Sequence, residues 1–119
     1  LHQYFKYLGI MDDLKLKRMD VDKYDLISFE GDEVNYPHAQ GYDNFIAQLS
    51  VLFPDEKKAI EIYCDKIKDT CNSFPLYNLE IGDAYYGETD LLSLKVKDYI
   101  ESITDNEKLR AVLGACLVN

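Results

Sequence analysis

Two apolar stripes separated by a proline constrain this chain more than any other feature. Over residues 41–79, GYDNFIAQLSVLFPDEKKAIEIYCDKIKDTCNSFPLYNL, the side chains Phe45, Ile46, Leu49, Leu52 and Phe53 recur at helical spacing. Ile60, Tyr63, Ile67, Cys71 and Phe74 do the same, with largely charged residues between them. The spacing predicts two consecutive amphipathic helices, each with a stripe that needs an apolar partner. Pro54 suits the first turn of a helix, where no amide donor is lost, and Asp55 and Glu56 place negative charge at the positive end of its dipole. The second helix is therefore predicted to start at Pro54 and to end near Phe74 and Pro75.

The flanks add a smaller β element and further helix. Tyr4, Phe5, Tyr7 and Leu8 fit the last turns of a helix that Gly9 terminates. Leu14 and Leu16 alternate with Lys15 and Lys17, the pattern of a short half-buried strand leading to Met19. A polar turn over 20–23 precedes two strand-like runs, 24–29 and 33–36, which flank Gly31-Asp32. That pair can close a two-residue hairpin because glycine accepts positive φ, and Pro37 is expected to end the second strand. His38 then reads as a surface or turn histidine at the end of the hairpin.

Residues 75–90, with Asn78, Gly82, Gly87 and four acids, read as a loop, or a loop containing a short helical turn, that carries Tyr77, Tyr85 and Tyr86. Ser93 or Asp90 can cap a following helix whose apolar positions are Leu94, Val96, Tyr99, Ile100 and Ile103. Thr104 and Glu107 match a Thr-x-x-Glu capping box for a final helix over 105–118. The expected fold is α+β in one domain of 119 residues, mainly helical with one small antiparallel element, a hairpin or a three-stranded sheet.

Charge and motifs exclude several function classes. A net charge of −9 argues against nucleic acid, which needs a cationic footprint. Cys64 and Cys71 lie two helical turns apart, beyond disulfide reach of each other, and with Cys116 are expected to be reduced thiols in the cytoplasm. The apolar tail over 111–118 is too short to cross a bilayer. Neither a G-x-G-x-x-G nor a phosphate-binding lysine loop is present, and His2 and His38 lack the paired cysteines of a zinc site. The acids of the 75–90 loop do not follow the order of a calcium-binding loop. No nucleophile and base stand out, so no catalytic, metal or cofactor residue is assigned. The chain begins at Leu1 and stops after VLGACLVN, and it is expected to be part of a longer polypeptide.

The run over 4–67, YFKYLGIMDDLKLKRMDVDKYDLISFEGDEVNYPHAQGYDNFIAQLSVLFPDEKKAIEIYCDKI, followed by SFPLYNL, carries YLGI at 7–10, YP at 36–37 and FP at 53–54. With the late DNEKLRAVLGA at 105–115, it resembles the middle region of the phytoene dehydrogenase, carotenoid isomerase and retinol saturase family of flavin-dependent oxidoreductases. The resemblance implies a substrate-binding portion of a larger flavoprotein whose FAD is held by another part of the polypeptide. It implies long polyene or isoprenoid substrates whose C=C bonds are saturated, desaturated or isomerised, so that the protein encloses an apolar chain while the cofactor does the redox chemistry. Alone, the chain is then inactive, and apolar faces that would meet the FAD-binding part favour self-association. Location in the cytoplasm, peripheral to a membrane in the parent protein, also follows. Phe74, Tyr77 and Leu79, which leave the second helix for an aromatic loop, are the candidate substrate-facing residues. The alternatives are an acidic protein-interaction module and the substrate domain of an amine-oxidase-type flavoenzyme.

Overall fold

The two central helices form and pack on each other, because each buries its stripe against the other. The computed structural model describes residues 2–73 and 93–115. Helix α2, Tyr42–Leu52, buries Phe45 and Leu49, and Phe53 follows it into the core. It stops there because the residue before a proline is driven out of the helical region; Phe53 sits at φ −129°, ψ 67°. Pro54–Glu56 make one 3-10 turn that runs straight into α3, Lys57–Ser73, which buries Ala59, Ile60, Tyr63 and Cys64.

The chain is a mainly helical α+β structure with a two-stranded antiparallel hairpin among its described residues. Before it come α1, His2–Tyr7, ended by Gly9 at φ 69°, and a 3-10 turn at Met11–Asp13. Residues 14–19 form no strand: Leu16 is 64% exposed, and among the described residues no strand pairs its backbone. After them the Asp20 carboxylate accepts the amides of Asp22 and Lys23, at 2.8 and 3.2 Å, and so makes the expected turn.

Strands β1, Asp25–Ser28, and β2, Asn35–His38, pair with Ile27 opposite Tyr36 and Asp25 opposite His38. Two expectations change here. The connection spans 29–34 rather than two residues: the Asp32 amide donates to the Phe29 carbonyl at 3.0 Å, with Gly31 at φ 78° inside the turn, and the Asp32 carboxylate accepts the Val34 amide at 3.1 Å. Pro37 does not end β2, because each strand of a two-stranded ribbon is an edge and can turn a proline away from the ladder.

Helix α4, Val96–Ile103, and helix α5, Glu107–Ala115, complete the core by adding Ile100, Leu109, Val112 and Leu113. Neither opens as the sequence suggested. Lys95 stands at the N-cap of α4 without a side-chain bond, Ser93 lies outside that helix, and Asp90 falls outside the described residues. At α5 the cap is Asn106, whose side-chain oxygen accepts the Leu109 amide at 3.0 Å. Thr104, buried, instead donates its hydroxyl to Glu56 at 2.8 Å and accepts the Asn106 amide at 3.0 Å, joining the start of α5 to the turn before α3.

Arg110 fastens α5 back onto α4. Its guanidinium donates to the carbonyls of Thr104 and Glu101, at 2.7 and 3.2 Å, and so satisfies groups that the end of α4 leaves without partners. The Tyr63 hydroxyl donates to the Leu113 carbonyl at 3.1 Å, which links α3 to α5 through the core.

Candidate functional site

A concavity arises where the hairpin meets the two central helices. In β2, alternate residues share a face, so Tyr36 and His38 both turn toward the helices, opposite Ile27 and Asp25 of β1. Tyr36 fills the core and stacks on Phe53 at 5.6 Å between ring centroids. His38, at the strand end, is left half-buried on the rim of that core. Its ring lies 4.8 Å from that of Tyr24 and 5.2 Å from that of Phe45.

From there an open groove of about 710 Å³ runs between β2, the start of α2 and the middle of α3. Tyr24, His38, Tyr42, Phe45, Tyr63 and Ile67 make most of its wall, and Met19 reaches it from the preceding segment. The volume falls in the range of small-molecule sites, and the lining is apolar and aromatic with few polar groups. The arrangement suits enclosure of an apolar body.

Local folding fixes the mouth of this groove. Gly41 precedes α2 at φ 84°, ψ 143°, a conformation closed to residues with a side chain, and its missing Cβ would meet open space. The Val21 carbonyl accepts the Gln40 amide at 2.8 Å and the Asn44 side-chain amide at 3.0 Å, and the same Asn44 nitrogen donates to Asp22. The 20–23 turn is thereby pinned to the first turn of α2.

His38 is a titratable group of this wall whose protonation is displaced. Burial pushes its pKa below the ordinary value, against the opposing pull of Asp25 across the strand pair, so the neutral imidazole is favoured. No described residue hydrogen-bonds that imidazole. His38 stands at the end of the hairpin as expected, but it is half-buried and flanked by rings rather than at the surface or in a turn. The period-2 spacing of Tyr36 and His38 was the signal that could have found it.

A second constellation lies at the hairpin loop. The Asp32 carboxylate accepts from Lys108 of α5 at 2.9 Å, from the Val34 amide at 3.1 Å and from the Tyr36 hydroxyl at 2.8 Å. These donors, Lys108 foremost, hold its pKa at about 2. The Lys108 ammonium also stands 4.6 Å from the centre of the Phe29 ring. Every group in this cluster is engaged by another, which makes it a clamp between hairpin and last helix. A smaller recess of about 450 Å³ separates α4 from α5, lined by Val96, Ile100 and Gly114, with the committed guanidinium of Arg110 at its edge.

Phe74, Tyr77 and Leu79, the residues expected to face substrate, lie outside the described residues, as does Cys116. Among the described residues, no three metal-ligating side chains come together and no helix is long and apolar enough to cross a membrane. The described residues do not fit a flavin. β2 does lead through Gly41 into α2, but a single glycine stands where a pyrophosphate-binding turn needs three, and the strand belongs to an antiparallel hairpin. No protein-family model, curated protein or solved structure matches this chain.

Proposed function

We propose that this chain is the substrate-enclosing portion of a flavin-dependent oxidoreductase acting on the C=C bonds of polyene or isoprenoid molecules. The observation that carries the proposal is the aromatic groove of about 710 Å³ between the hairpin and the paired helices. The ordered motifs at 7–10, 36–37, 53–54 and 105–115 give it the family context. On this reading the groove binds and orients an apolar chain and shields it from water. FAD is held by the remaining part of a longer polypeptide, and saturation, desaturation or isomerisation takes place beside it. The cytoplasm, at a membrane surface from which such substrates partition, is the proposed location.

The exposed apolar side chains Tyr7, Leu8, Leu16 and Met19 support a surface that the FAD-binding part covers. The test is made on the parent protein. It should carry flavin absorbance as purified or after reconstitution with FAD, and should turn over polyenes rather than amines. A colourless protein that cannot be reconstituted overturns the proposal, and turnover of amines transfers the groove to an amine-oxidase-type enzyme. Stable, flavin-free docking onto another protein would support the acidic interaction module instead.

A further inference from the structure

His38 is a hydrogen-bonding side chain set into an otherwise greasy wall. Among the described residues its imidazole is held by ring contacts alone, with Tyr24 at 4.8 Å on β1's side and Phe45 at 5.2 Å on α2. A neutral imidazole offers one donor and one acceptor, and a half-buried one that uses neither has both to give to a ligand. The group that complements both is a hydroxyl.

Charge around the ring narrows the choice further. Asp25 lies directly opposite His38 on the same face of the hairpin, and the chain carries a net charge of −9. A carboxylate brought to this end of the groove would meet the like charge of Asp25. A pure hydrocarbon would bury the imidazole and leave its nitrogens without partners, which costs binding free energy.

We infer that His38 is a specificity-determining residue, hydrogen-bonding the hydroxyl end of a ligand whose apolar body occupies the groove. This rests on the groove reading given above, but adds a preference that an apolar enclosure alone would not have. The ring contacts fix the imidazole in place, so the preference is built into the free protein.

Three fluorescent conjugated tetraenes of one chain length test it: octadecatetraen-1-ol, octadecatetraene and octadecatetraenoate, titrated at neutral pH into the 119-residue chain. The alcohol should bind about 2- to 10-fold more tightly than the hydrocarbon, the worth of one hydrogen bond, and more tightly than the carboxylate. His38→Phe keeps a ring between Tyr24 and Phe45 and should abolish the preference, with the hydrocarbon bound more tightly than by the parent chain because no nitrogen is then left without a partner. His38→Gln, which restores a donor and an acceptor, should recover part of it. Equal binding of alcohol and hydrocarbon, a preference unchanged in His38→Phe, or tighter binding of the carboxylate overturns the inference and leaves the groove standing. Failure of all three probes to bind removes both.

Discussion

Asp32 shows how far one side chain's setting can displace its chemistry. Its carboxyl is held at about 2 against an ordinary 3.8, first by Lys108 and then by the Val34 amide and the Tyr36 hydroxyl. A depressed carboxyl pKa means that the folded state releases the proton more readily than the unfolded one. The stabilisation is therefore complete above about pH 4 and is lost as pH falls toward 2. Asp32→Asn should flatten the melting temperature over that acid window and lower it at pH 7; an unchanged acid limb would show that the clamp does not hold the hairpin. For His38 the stability trend has the same direction. Burial lowers its pKa below 6.5, so the unfolded chain takes the proton first and stability declines as pH drops below 6.5. Urea unfolding at pH 7.5 and 5.5 should show a smaller decline in His38→Phe than in the parent chain.

At the level of elements, helix ends were harder to read than helix faces. The stripes Phe45, Leu49 and Phe53 and Ile60 and Tyr63 could be read because a 3.6-residue period is a local property, and all five are buried. The start of α5 was misread because Thr104 spends its hydroxyl on Glu56, a residue 48 positions away that no local motif reveals. Asn106→Ala should thus cost about 1 kcal/mol in chemical unfolding, the usual loss for an N-cap. Gly41→Ala tests the entry to α2. Its Cβ would meet nothing within 4 Å, so a loss of about 1–3 kcal/mol would come from the backbone conformation alone. The strand expected over 14–19 failed for a related reason. Alternation marks a segment that could be half-buried, and only a neighbouring strand makes it so.

Across the whole molecule, burial is uneven. The core gathers Leu49, Ile60, Leu109, Val112 and Leu113, which are fully buried and come from three helices, whereas Tyr7 and Val51 remain 89% and 77% exposed. Apolar surface left in water favours association. The sedimentation coefficient should therefore rise with protein concentration, and Tyr7→Ser with Leu8→Ser should reduce the rise. A coefficient independent of concentration would show that these side chains are only incidental surface. The candidate site follows the same division between local and distant. Its wall residues Phe45, Tyr63 and Ile67 were visible as helix stripes, but the groove exists only because β2 brings His38 beside Phe45.

Periodicity and turn chemistry determined from the sequence alone that two amphipathic helices flank a proline, that a hairpin precedes them and that Gly9 ends the first helix. These depend on interactions within a few residues, where side-chain spacing and backbone preference act directly. Tertiary structure decided the hairpin's register, the partner of Thr104, the state of Asp32 and the position of His38 in an apolar wall. Each of these rests on contacts between residues far apart in the chain, whose energies appear only once the segments have packed.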